Sequence, residues 1–202
     1  RTSDNIAGVQ ARGGIELESF EGGPHGFGKF KNVTSDIEEA IGEAEVVMVV
    51  VPSSAHADIA RSVAPFVKND QIFVLHPGRT CGAIEFNKAL LDSGADTDFT
   101  IAEAETFIYA SRSEGPAQAR IFRVKEAVPL AALPANRTDN VLEAINPVYP
   151  QFIHGINVLN TGLNNMGAIF HPALSLLNAF NLVNDPFKSC VTFRLQCLLK
   201  RI

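Results

Sequence analysis

The longest uninterrupted apolar run in the chain, Val46-Val-Met-Val-Val-Val51, is rich in β-branched residues and shows no polar alternation. A strand with that pattern is covered on both faces, as in a parallel sheet, so it is expected to be a central strand. Pro52 ends it, and the hydroxyls of Ser53 and Ser54 can cap a helix over about 55–67. Upstream, 36–41 reads as a short helix, with Thr34 or Ser35 as its cap, acids in its first turn and Gly42 at its end. The unit then repeats: Gln71-Ile-Phe-Val-Leu75 is a second buried strand, His76-Pro-Gly78 its turn, and about 82–91 a helix that stops before Gly94. Strand, loop, helix, strand, loop, helix implies parallel pairing through right-handed crossovers. The fold class expected is therefore α/β, a partial doubly wound parallel sheet.

Further short strands are expected at 100–104, 119–124 and 127–132, and a helix at about 139–145. Past Pro147 and Pro150 the pattern becomes helical. Residues 157–179 are apolar at helical spacing, interrupted at Gly162 and Pro172. This places a domain boundary between about 147 and 155, with an α/β part over 1–150 and the start of an all-helical part over 151–202. No internal repeat or low-complexity tract is present.

With 202 residues at 46% hydrophobic content, the chain can bury one good core and begin a second. No apolar run approaches the roughly 20 residues that span a bilayer, and no secretory signal is visible at the N-terminal end, so no membrane partner is expected. The net charge of −5, with acids and bases interspersed, offers no basic stripe, so nucleic acid is not an expected partner. Cys81, Cys190 and Cys197 fit neither a metal-ligand spacing nor a disulfide framework. No metal is expected, and three ordinary thiols suit a reducing cytoplasm.

Ligands of a doubly wound sheet sit at the carboxyl ends of its strands, which directs attention to Pro52-Ser-Ser-Ala-His56 and His76-Pro-Gly-Arg-Thr80. Gly78 would let a backbone amide approach a ligand, and Thr80 lies near a helix start, where free amides favour anionic groups. Plain strand-to-helix turns explain both loops equally well. No GxGxxG follows a strand. Gly13-Gly14 and the Gly22-Gly23-Pro24-His25-Gly26 run read as turns between short strands, so the chain is expected to begin after the first βαβ unit. His171 stands on an apolar helical stretch with Asn164 and Asn165 about two turns upstream, although a lone histidine there is more often a core residue. The other histidines, His25, His56, His76 and His154, read as structural or solvated. Glu103 and Glu105 share one face of a strand, where a solvated pair is expected. Arg112, Arg120 and Arg123 are either anion ligands or exposed charges.

Four segments together resemble one family. They are Val-Val-Val-Pro-Ser-Ser-Ala-His56, Leu-His-Pro-Gly-Arg-Thr-Cys-Gly-Ala-Ile-Glu-Phe86, Ala-Glu-Thr-Phe-Ile-Tyr-Ala110 and Thr-Gly-Leu-Asn-Asn-Met-Gly-Ala-Ile-Phe-His-Pro-Ala173. In this order and spacing they are similar to the octopine/nopaline dehydrogenases, over about 13–179. The resemblance implies a Rossmann domain for NAD or NADP joined to an all-helical domain. It also implies a reaction in which an amino acid condenses with a 2-oxo acid such as pyruvate and the imine is reduced to an opine. It assigns the acid/base role to His171, which matches the family histidine in its HP context. Pro52, Ser53 and His56 would line the nicotinamide side, Pro77, Gly78 and Thr80 the neighbouring cofactor wall, and Asn164 and Asn165 would orient the substrate or His171. The chain after Leu182 departs from the family, and the family's histidine-holding aspartate has no counterpart here.

Two other readings compete. Ketopantoate-reductase-like and 3-hydroxyacid dehydrogenases join similar domains, but their catalytic helix carries a lysine and the stretch around His171 has none. A non-catalytic binding module would account for the absent glycine loop. Oligomeric state is left open by the sequence.

Overall fold

Alternation of side chains along three parallel strands sorts the apolar residues of this protein into two cores, one on each face of a sheet. The computed structural model describes residues 4–20 and 23–164, together with positions 170, 172, 175 and 176. In chain order the elements are α1 (Asp4–Arg12), β1 (Gly14–Ser19), β2 (Gly26–Lys29), α2 (Ile37–Ile41), β3 (Val46–Val49), α3 (His56–Val63), β4 (Ile72–Leu75), α4 (Gly82–Asp92), β5 (Thr100–Ala104), β6 (Tyr109–Gly115), β7 (Gln118–Val124), β8 (Val128–Leu133), α5 (Thr138–Ile145), β9 (Phe152–His154) and α6 (Val158–Leu163).

The main sheet has the order β3-β4-β5-β8-β9. β3, β4 and β5 are parallel, as expected; β8 joins β5 antiparallel, and β9 runs parallel to β8. Phe73 and Leu75 of β4 and Ile101 of β5 enter a core with α3 and α4, while Val74, Ala102 and Ala104 enter another with α5. This is the period of two expected of a strand, and it makes the sheet doubly wound. Phe73 and Phe86 meet at 5.7 Å between ring centroids in the first core. Full burial of each contributes about 1.5–3 kcal/mol. A second sheet, of order β2-β1-β7-β6, packs Tyr109 of β6 and Val124 of β7 against the α5 core.

Several expectations need correction. Val47 and Val51 pack on one core and Val46 and Met48 on the other, so β3 is covered on both faces. Within the described residues it is nevertheless the edge strand of the sheet. The cap of α2 is Asp36, whose carboxylate accepts from the Glu39 N–H at 3.1 Å; Thr34 instead accepts from the Asp36 N–H. The helix expected over 55–67 is α3 flanked by 3-10 turns at Ser53–Ala55 and Ala64–Phe66, because Pro65 cannot donate the next helical hydrogen bond. The strand expected at 119–124 is β7, which pairs in the second sheet with β6, an element the sequence reading did not anticipate.

The chain divides into two compact units, residues 1–164 and 165–202. β9 and α6, which follow the boundary expected at 147–155, therefore lie in the first unit: Phe152 fills the α5 core, and Val158 the α3/α4 core. Of the second unit only isolated positions are described, so the expected helical domain lies largely outside the described residues.

Candidate active site

Because β3 and β4 pair in parallel register, with Val49 opposite Leu75, the loops that leave their carboxyl ends run side by side. Pro52 and Ser53 are exposed on the first loop and Thr80 on the second, while Pro77 and Gly78 are buried as the floor between strand and helix. His56 does not share the exposed surface. It is fully buried, and Gly82 lies so close that a Cβ there would sit 3.1 Å from His56 Nδ1. Neither ring nitrogen has a hydrogen-bond partner among the described residues. Burial holds this imidazole below its ordinary pKa, against the opposing charge of Glu85, so it is neutral at pH 7.

Beneath the second loop lies the carboxylate of Glu103, which is 1% exposed. Helix α4 has no local cap: Cys81 precedes it in a left-handed conformation and makes no side-chain cap bond. The cap comes instead from the neighbouring strand, as Glu103 Oε2 accepts from the Ala83 N–H at 2.8 Å. Glu103 Oε1 accepts from the Thr161 hydroxyl of α6, also at 2.8 Å. Two glycines make room for this group. A Cβ at Gly78 would lie 2.4 Å from Glu103 Cβ, and one at Gly162 would lie 3.1 Å from both Arg79 O and Cys81 N and 3.2 Å from Glu103 Oε1. Burial pushes the Glu103 pKa up, opposed by the Ala83 N–H and the Thr161 hydroxyl.

Glu105, next on the same face of the strand, accepts from Asn164 Nδ2 at 2.9 Å. Period two on the strand thus meets a spacing of three on the helix: Glu103 holds Thr161 and Glu105 holds Asn164. The expectation of a solvated pair fails for Glu103. The signal was in the sequence, since Ile101 shares its face and lies in the core. Thr161 was not singled out by sequence reasoning, and neither spacing nor residue type marks it.

On the opposite face of the sheet, His76 at the end of β4 accepts from the Ile108 N–H through Nε2 at 2.9 Å. An accepting Nε2 leaves the proton on Nδ1. Its ring meets Phe107 and Phe152 edge-on, each at 5.5 Å. Burial, helped by the Lys125 charge, lowers its pKa to about 4. His76 opens on a cleft of about 430 Å³ that Met48, Val50, Tyr109, Ser111 and Tyr149 also line.

The other sequence candidates do not converge here. Arg120 is paired with Glu18 and Glu114, both at 2.9 Å, on the second sheet, which also carries Arg112 and Arg123. His154 lies 3.4 Å from Asp139. Cys81 is a free, exposed thiol. Among the described residues, no group of three or more His, Cys, Asp or Glu is placed to hold a metal ion, and no helix is long and apolar enough to cross a membrane. Asn165 and His171 lie outside the described residues, as do Cys190 and Cys197.

A doubly wound sheet with paired loops at its carboxyl edge, followed by a helix tied to that edge, is a Rossmann-like architecture. In sequence the chain is similar to an opine dehydrogenase. It is 39% identical over 177 residues to an opine dehydrogenase from Arthrobacter sp. (strain 1C), an alignment that covers 88% of this chain and 48% of that protein. The chain therefore spans about half the length of that curated relative. Its fold matches octopine dehydrogenase crystallised with NADH and L-arginine, with a TM-score of 0.70 at 19% identity over 85% of this chain and 44% of that one. It also matches yersinopine dehydrogenase bound to NADP+, with a TM-score of 0.72 at 14% identity over 87% and 45%. No family model matches the chain.

Proposed function

We propose that this chain carries the nicotinamide end of an opine dehydrogenase site, which joins an amino acid to a 2-oxo acid such as pyruvate at the expense of NADH or NADPH. The observation that carries this reading is the 39% identity to an opine dehydrogenase, which runs through the carboxyl-edge loops. The edge is suited to the neutral end of a dinucleotide. The hydroxyls of Ser53 and Thr80 stand exposed on adjacent loops above the buried Pro77 and Gly78, so an amide can be hydrogen-bonded against a dry floor. A phosphate is less suited, because the Glu103 carboxyl group already occupies the N-terminus of α4. His56 supports the loop from below, against Gly82.

In the reaction, the amine attacks the keto carbon, water leaves, and the carbon–nitrogen double bond is reduced. The coenzyme supplies the hydride when bound. His171 moves the protons that addition, dehydration and reduction require, which calls for a group that titrates near neutrality. Asn164 and Asn165 orient the substrate or His171, and the helical catalytic domain begins after α6. The absence of lysine from 157–179 favours this reading over a ketopantoate-reductase type of chemistry. A cytoplasmic setting suits the free thiol of Cys81.

The test is NAD(P)H oxidation by the full-length protein with amino acid alone, oxo acid alone, and both. Oxidation is expected only with both, falling about 100-fold or more in His171→Ala. Oxidation with the oxo acid alone would identify a simple ketone reductase instead.

A further inference from the structure

Three segments distant in sequence meet at one buried carboxylate. Glu103 near the end of β5 is met by the loop 78–81, by the first turn of α4 and by helix α6: Gly78 from one side, the Ala83 N–H at 2.8 Å from a second, the Thr161 hydroxyl at 2.8 Å from a third. The loop is backbone-strained, with φ of +64° at Arg79 and +59° at Cys81. Non-glycine residues hold such angles only where their surroundings impose them. Here α6 supplies part of those surroundings, because Gly162 sits directly on Arg79 O and Cys81 N. The strained loop and α6 are thus packed backbone to backbone, with Glu103 the hydrogen-bonded pin between them.

From this geometry we infer that Glu103 is a positioning residue that locks the coenzyme-side loop and α6 into one unit through the Thr161 hydroxyl. The chain that leaves α6, Asn164-Asn-Met-Gly-Ala-Ile-Phe-His171, then starts from a fixed point relative to the loop. This rests on the opine dehydrogenase reading for its consequence in catalysis, but the lock itself is a property of this chain. A buried carboxylate suits the task better than an apolar contact. It has hydrogen-bonding oxygens in two directions, and losing either partner leaves a buried oxygen unsatisfied, so the assembly has one arrangement. Glu105 and Asn164 add a second, more exposed bond at the far end of the same helix, 2.9 Å long.

The experiment uses Thr161→Val, which keeps the shape and deletes the hydroxyl, and Thr161→Ser, which keeps the hydroxyl, in the full-length protein. Thr161→Val is expected to lower kcat about tenfold or more while the coenzyme KM stays within about twofold, and Thr161→Ser to retain most of the wild-type kcat. A valine variant with wild-type kcat, a serine variant as impaired as valine, or a change confined to the coenzyme KM overturns the inference. Hydrogen exchange of residues 158–164 in the same protein decides it independently of activity. In Thr161→Val those amides should exchange about tenfold faster than in wild type, and unchanged exchange overturns the inference. Should the wild-type protein form no opine, the functional reading fails while the exchange result still judges the lock.

Discussion

The Ile108 N–H donates to Nε2 of His76 at 2.9 Å, so that histidine is held neutral by a backbone group 32 residues away in sequence. Protonating His76 would break this bond inside a nearly dry site between Phe107 and Phe152. The unfolded chain accepts a proton near the ordinary value of 6.5, whereas the folded protein resists until about 4. Between those two values the unfolded state binds more protons, so this group makes stability fall as pH drops from 6.5 towards 4, with no further loss below. The full effect is at most of the order of 3 kcal/mol. Glu103 works in the opposite sense, since its raised pKa costs stability as pH rises through the carboxylate range.

Urea unfolding at pH 7 and pH 4.5 isolates the histidine. In His76→Gln, whose amide oxygen can still accept from Ile108, the loss between the two pH values should shrink by about 1–2 kcal/mol relative to wild type. An identical loss in both proteins would mean that His76 does not carry the acid sensitivity.

Gln71 precedes β4 and is almost fully buried. Its amide nitrogen donates to Ile41 O and Ala44 O, both at 2.8 Å, and its oxygen accepts from the Lys68 N–H at 3.1 Å. Replacing it with leucine strands these backbone groups. We expect Gln71→Leu to destabilise the protein by about 2–3 kcal/mol in denaturant unfolding, with Gln71→Glu distinctly worse than a surface Gln→Glu change.

At Gly78 the constraint is steric. An alanine methyl would lie 2.4 Å from Glu103 Cβ, and Glu103 has no free side along which to retreat. Gly78→Ala should cost about 1–3 kcal/mol and lower the melting temperature by several degrees. Gly28→Ala on the second sheet, where the nearest atom to such a methyl is 3.7 Å away, should have a far smaller effect. Equal shifts for the two variants would contradict the packing described around Glu103.

The sequence pattern revealed the parallel unit of β3, α3, β4 and α4 because apolar runs and Ser and Pro punctuation are local signals, although the cap expected from Ser53 or Ser54 does not form and Ala55 precedes α3 without a side-chain cap. It did not place β3 at an edge, where it stands among the described residues, since a run of β-branched residues reports which faces are covered and is silent on lateral neighbours. The second sheet was largely illegible: β1, β2, β6 and β7 are mostly half-buried or exposed, and joined by pairings such as Glu16 with Gln118 that no local pattern encodes. The edge loops at Pro52 and His76 were legible as candidate chemistry, yet two of their histidines turned out to be buried supports. Glu103 was legible as a strand carboxylate. Its partners Ala83 and Thr161 were not, because they come 20 residues before it and 58 after it.

The exposed hydroxyls give a prediction about the coenzyme. Removing one from the proposed cofactor wall, as in Thr80→Val, should raise the coenzyme KM of the full-length protein about fivefold and leave the amino acid KM nearly unchanged. A rise in the amino acid KM alone would place that loop on the substrate side instead.

The most direct test of the account is the identity of the product. Full-length protein would be incubated with a ¹⁵N-labelled amino acid, pyruvate and NAD(P)H deuterated at the transferable position, and the product weighed by mass spectrometry. The account predicts a secondary amine dicarboxylate that contains both carbon skeletons, the ¹⁵N and one deuterium. Deuterated lactate with the amino acid left intact would contradict it, and would make this protein a ketone reductase built on the same sheet.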